Sequence, residues 1–168
     1  MSTIVDHQIR YLSRMAGLVE PFDPDMVNPA SIDVTLGPTI LVEGRPGQER
    51  WVEVDIEGGL YSLQPGEFVL AHTAEIVRVP NNLECVFNLK SSRGREGFDH
   101  LMAAYIDPGF TGRVTLELVN VNRFHRLPLE HGMRIGQLRF STLDEIPMRS
   151  YAVTGRYMND QGVQVSKG

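Results

Sequence analysis

Apolar residues alternate with polar ones through most of this chain and follow helical spacing only near its start. Ile4, Ile9, Leu12 and Met15 fall close to one helical face, and Gly17 is a natural stop. Beyond it, Pro and Gly recur too often for long helices. Short β-type runs are predicted at 32–36, 40–42, 51–56, 68–79, 84–89, 114–120 and 135–140. Turn signals such as Gln64-Pro65-Gly66 and Asp107-Pro108-Gly109 separate them. The pattern predicts a mainly antiparallel β-barrel or sandwich behind a short N-terminal helix. No repeat, low-complexity tract or linker interrupts it, so residues 1–168 are expected to form one domain.

One of these runs contains an anomaly. Along 114–120 the alternation puts Val114, Leu116 and Leu118 on one face and Thr115, Glu117 and Val119 on the other. A carboxylate among strand residues must sit in solvent, be paired, or shift its pKa. Asp107 stands ten residues earlier and opens a Pro-Gly turn. Taken singly, Glu117 reads equally as a surface group and Asp107 as a turn former.

Composition narrows the classes. The 168 residues are 42% hydrophobic and 22% charged, enough for a real core. A formal net charge of −5 argues against nucleic acid or an anionic membrane as the default partner. Cys85 is the only cysteine, and neither a signal peptide nor a membrane-spanning apolar stretch is evident, so a soluble, cytoplasmic protein is expected. Cys85 lies in an apolar run and reads as a core residue. The scattered His7, His72, His100, His125 and His131 give no metal-site spacing.

A basic segment, Lys90-Ser91-Ser92-Arg93-Gly94-Arg95-Glu96-Gly97, follows the run at 84–89. Hydroxyls, glycine amides and cations together suit an anionic ligand, although a solvated turn has the same composition. It lacks the order of a Walker loop. The polar C-terminal segment reads either as a frayed tail or as a flap over a ligand.

In their order along the chain these segments resemble the dCTP deaminase family, a branch of the trimeric dUTPase fold. The resemblance runs from Glu20-Pro21-Phe22-Asp23-Pro24 and Asn28-Pro29-Ala30-Ser31-Ile32-Asp33 through Leu63-Gln64-Pro65-Gly66-Glu67. It continues with Ser91-Ser92, Arg95, Gly97, Ile106-Asp107-Pro108-Gly109-Phe110 and Leu116-Glu117. Gly132-Met133-Arg134-Ile135-Gly136-Gln137 and Gly155-Arg156-Tyr157 complete it.

The resemblance implies a distorted antiparallel β-barrel of the dUTPase-like, β-clip type. It also implies hydrolytic deamination of a deoxycytidine nucleotide at C4, with bifunctional members going on to dUMP and pyrophosphate. Glu117 matches the general base and acid; Ser91 and Arg95 match the residues that position it and the attacking water. Asp107 matches the carboxylate that holds the sugar 3'-hydroxyl and, in bifunctional members, helps activate water for triphosphate hydrolysis. Lys90 and Ser92 fall where phosphates are contacted. Ala103, Tyr105, Ile106, Arg156, Tyr157 and Gln161 fall at further substrate-binding positions. The resemblance further implies a homotrimer with sites at subunit interfaces, and residues 151–168 as a C-terminal flap. Magnesium is expected only through the nucleotide phosphates. A single cysteine excludes the zinc-type cytidine deaminases.

Three positions depart from the family pattern. Tyr105 replaces Arg or Trp, Leu89 replaces a frequent Gly, and Asp160 replaces a frequent Gln. A carboxylate at 160 would repel a terminal phosphate unless a cation intervened, which brings shorter phosphates or a modified base into view. Two other readings fit these departures: a dUTPase that keeps Glu117 unused, and a nucleotide-sensing module without turnover.

Overall fold

The computed structural model describes residues 1–167. Its elements run α1 (Asp6–Ala16), β1 (Val19–Glu20), β2 (Val27–Asn28), β3 (Ser31–Thr35), β4 (Thr39–Glu43), β5 (Trp51–Asp55) and β6 (Leu60–Leu63). They continue β7 (Phe68–Arg78), β8 (Leu83–Leu89), α2 (Ser91–Glu96), β9 (Phe98–Asp99), β10 (Tyr105–Ile106) and β11 (Thr111–Asn120). β12 (Leu127–Glu130), β13 (Arg134–Thr142) and α3 (Tyr151–Thr154) end the chain.

Among the described residues the strands form three antiparallel sheets. One has the order β5-β4-β7-β11-β9 with β1 added to β7, a second the order β10-β8-β13-β3-β2, and a third pairs β12 with β6. Val34, Phe87, Leu138 and Phe140 from the second sheet meet Ile40, Val69, Ala71, Leu116 and Leu118 from the first in one buried core. Leu63 and Leu129 of the small sheet join them. The sheets wrap this core without closing into a continuous barrel, the distorted form of the expected architecture.

Each of the seven predicted runs is a strand. Two other elements were hidden by their residues. Pro128 makes 127–130 unlike a strand, and it is tolerated because β12 pairs on one side only, with β6. The basic segment, read as an anion site or a solvated turn, is the short helix α2, closed by Gly97 in the left-handed conformation. At the N-terminus, α1 buries Ile9 and Ser13 and packs Leu12 against the core, while Met15 is exposed. Met15 lies six residues past Ile9, about 240° around the helix, and so leaves the buried stripe.

A bulge on β7, opposite Val114 of β11, prepares the site. Thr73 Oγ1 accepts from Val114 N at 3.0 Å and donates to Glu75 O at 2.8 Å, and the β7–β11 register shifts between Arg113 and Thr115. A side chain thus takes the ladder bond that the backbone partner has lost, and the strand can bend there. Beyond it, Leu116 and Leu118 point into the core, and Glu117 points away from it.

The same region buries a carboxyl group. Glu75 accepts from Thr35 N at 3.0 Å and from Thr35 Oγ1 at 2.8 Å, but burial outweighs these bonds and raises its pKa above the ordinary 4.5. Folding therefore favours the protonated form. Its stabilising contribution is complete below the ordinary value and is lost as pH rises through the raised folded one. Glu75→Gln should match or exceed the parent in melting temperature at neutral pH, with its advantage shrinking as pH falls toward 4.5. An advantage that grows in acid would contradict this assignment.

Candidate active site

The turn after β10 and the start of β11 frame a cleft of about 910 Å³. Ala103, Tyr105, Ile106 and Asp107 line it from the β10 side, Arg113, Thr115 and Glu117 from β11, and Phe68 and Leu70 from β7. Trp51 and Arg50 close one end. Tyr151, Tyr157, Asp160 and Gln164 close the other.

The turn geometry comes from the sequence Asp107-Pro108-Gly109-Phe110. Phe110 N donates to Asp107 O at 3.1 Å, and Gly109 has φ of 88°. Any side chain at 109 would also strike Ser150 Oγ, since a Cβ would lie 2.1 Å from it. The turn leaves the Asp107 carboxylate exposed at the cleft wall.

Glu117 lies opposite Leu70 in the ladder and is half-buried. Its pKa is raised, chiefly by burial; its own backbone amide and nearby His100 act in the opposite direction. Such a carboxyl can hold and release a proton closer to neutrality than a solvated one. Three carboxylates line this cleft: Asp107, Glu117 and Asp160. Arg113 supplies a facing cation, steadied by bonds from Nη1 to the carbonyls of Thr73, at 3.2 Å, and Ala74.

The C-terminal segment is docked on β11 of its own chain. Asn159 N donates to Thr111 O at 2.7 Å, Arg113 N to Asp160 O at 2.8 Å, and Gln164 N to Thr115 Oγ1 at 3.2 Å. Gly112 permits this approach: a Cβ there would lie 3.1 Å from Asp160 N. Lys167 Nζ folds back to Arg156 O at 2.9 Å and lies 3.5 Å from Asp160 Oδ1. Asp160 Oδ2 is buried without a hydrogen-bond partner.

The predicted site residues thus fall into two groups. Glu117, Asp107, Ala103, Tyr105, Ile106 and Tyr157 share the cleft. Among the described residues lining it, none comes from Lys90 or α2, so Ser91, Ser92 and Arg95 lie outside it, with all three exposed. Arg156 and Gln161 are exposed and outside the lining as well. Lys90 instead bonds through Nζ to Asp33 Oδ2, on a carboxylate only 2% exposed. Asn28 Nδ2 donates to Asp33 Oδ1 at 2.8 Å, and Arg134 Nη1 lies 3.6 Å from Oδ2. This second cluster is cationic and preorganised by a buried acid.

Sequence reasoning missed Trp51, Phe68, Leu70, Arg113 and Thr115 as cleft residues. The run 68–79 is apolar at most positions on both faces, so parity alone could not say which face carried a site. No helix among the described residues is long and apolar enough to cross a membrane.

Fold and cleft together define a dUTPase-like β protein with an acidic pocket beside its long central strand. The dUTPase of Streptococcus mutans shares this fold at a TM-score of 0.50 and 16% identity, covering 75% of this chain and 92% of that one. Residues 4–143 match the dCTP deaminase-like family. The dUMP-forming dCTP deaminase of Coprothermobacter proteolyticus is 37% identical over 163 residues, covering 90% of this chain and 87% of the relative. Its counterpart in Thermobifida fusca is 40% identical over 165 residues, covering 89% and 83%. A solved 2'-deoxycytidine 5'-triphosphate deaminase from Agrobacterium tumefaciens superposes at a TM-score of 0.69 with 26% identity. It covers 84% of this chain, which spans about half (48%) of that longer one. The chain belongs to the dCTP deaminase-like family.

Proposed function

We propose that this protein deaminates dCTP hydrolytically in the cytoplasm and converts the product onward to dUMP and pyrophosphate. The observation that carries the reading is Glu117: a half-buried carboxyl with a raised pKa in the cleft of a chain from this family. Glu117 takes a proton from water, whose oxygen attacks C4 of cytosine. It then returns the proton toward the exocyclic nitrogen, the C4–N bond breaks, and ammonia leaves. Ser91 and Arg95 hold that water and the carboxylate in place, Tyr105 packs near the sugar, and Ala103 and Ile106 flank the base.

Asp107 in the same cleft, together with the dUMP-forming relatives, favours the second step. There Asp107 helps activate the water that cleaves the triphosphate. Asp107→Asn should lower pyrophosphate release by roughly 100-fold or more. Ammonia release should fall far less, so dUTP accumulates; equal losses of both products would argue against the role.

Lys90, Ser92 and Arg156 suit the phosphates by charge and hydrogen bonding. Magnesium bound to the triphosphate would lessen the phosphate charge facing the acidic wall. Because α2 stands apart from the cleft of its own chain, we place the working site between chains of a homotrimer. Residues 151–168 are the flap that closes it, with Gly168 outside the described residues.

Incubation with dCTP and magnesium, with ammonia assayed and nucleotides resolved by anion exchange, tests the whole reading. Ammonia with dUMP and pyrophosphate is expected. Absence of ammonia from any cytosine nucleotide would remove Glu117 from catalysis.

A further inference from the structure

Residues 156–167 close into a loop on themselves. Lys167 N donates to the Tyr157 hydroxyl at 3.0 Å, Lys167 Nζ donates to Arg156 O at 2.9 Å, and the ammonium stands 4.7 Å from the centre of the Tyr157 ring. Tyr157 N in turn donates to the Tyr151 hydroxyl at 3.3 Å, and the Tyr151 ring packs on buried Phe110 with centroids 5.9 Å apart. These contacts tie the loop to the core and hold the Lys167 ammonium 3.5 Å from Asp160 Oδ1.

Asp160 depends on that ammonium. Its side chain is only 13% exposed, and Oδ2 is buried without a hydrogen-bond partner. Arg113 bonds to Asp160 through the backbone alone, since its Nη1 is spent on the carbonyls of Thr73 and Ala74. Among the described residues Lys167 is the one cation within ion-pair distance of Asp160. The charges of the cleft give this pair a consequence. Asp107, Glu117 and Asp160 line it against Arg50 and Arg113, one carboxylate more than it has cations. Lys167 stands beside the lining and restores the balance. A carboxylate stripped of its cation in a partly enclosed site acts at reduced dielectric, so an unpaired Asp160 would repel every phosphate that enters.

We propose that Lys167 is a specificity-determining residue: by holding the charge of Asp160 inside the docked tail, it lets the acidic cleft admit a polyphosphate. It acts through Asp160 and not by touching the ligand. This deepens the nucleotide reading and rests on it.

Binding of α,β-imido-dCTP and of dCMP is measured by calorimetry on the full-length parent, Lys167→Gln, Asp160→Asn and the double variant, with ammonia release from dCTP followed in the parent. Lys167→Gln should weaken the triphosphate by about tenfold and the monophosphate by less than about threefold, because the repulsion scales with ligand charge. Added salt should shrink the difference. Asp160→Asn removes the charge that Lys167 offsets, so the double variant should return to within about twofold of the parent. A double variant as weak as Lys167→Gln overturns the pairing, and equal losses for the two ligands overturn the electrostatic role in favour of a structural one. Unchanged triphosphate affinity in Lys167→Gln overturns the proposal and leaves the nucleotide reading standing. Binding without ammonia in the parent removes the deaminase reading while the four affinities still decide the pair; no binding in the parent overturns both.

Discussion

Glu117→Gln is expected to lower ammonia release from dCTP by roughly 1,000-fold, the middle of the range for a positioned general base. Gln keeps the shape and one acceptor oxygen but cannot take a proton from water. Nucleotide affinity, measured by calorimetry, should change by no more than a few-fold. The pH profile gives a second readout. Glu117 works as a base only when deprotonated, and burial raises its pKa above the ordinary 4.5. In the parent protein kcat/KM should fall as pH drops through that raised value. The residual activity of the Gln variant should lack this acid limb. Near-normal turnover in the variant, or an acid limb unchanged by the substitution, would remove Glu117 from the role of base.

Glu117 was legible in the sequence because a charge in a β run obeys parity. Leu116 and Leu118 had to share the core face, so Glu117 had to lie opposite, and it does. Parity could not say whether the opposite face was solvent or a cleft. That depended on the docked C-terminal segment and on the turn 107–110, which enclose it through contacts distant in sequence.

Other parts failed for identifiable reasons. In β7, Val69 and Ala71 face the core while Phe68 and Leu70 face the cleft, and all four are apolar. No alternation survives to be read. α2 holds Gly94 and two serines in six residues, a composition that also makes turns, and only the preceding strand and Gly97 fix it as helix. Asp33 could be quoted as part of a motif. That it is buried and holds Lys90 needed β3 and β8 to be brought to β13 on either side.

The separation of Lys90 and α2 from the cleft leads to a test of assembly. Glu117→Gln and Arg95→Ala should each be nearly inactive alone, whether or not the site is shared. Mixing them separates the two cases. If one chain supplies Glu117 and its neighbour supplies Arg95, subunit exchange at equal ratio regenerates intact sites. Each site draws its two residues independently, so about a quarter should be whole in a randomly mixed homo-oligomer of closed symmetry. If both residues come from the same chain, every site carries one lesion and no activity returns. The mixture is made by co-expression or by dissociation and reassembly, and ammonia release is compared with that of the separate variants. Recovery near one quarter of parental activity supports a shared site. Recovery no greater than the average of the two variants would mean that α2 reaches the cleft of its own chain by a conformational change, and the homotrimer would lose its catalytic rationale.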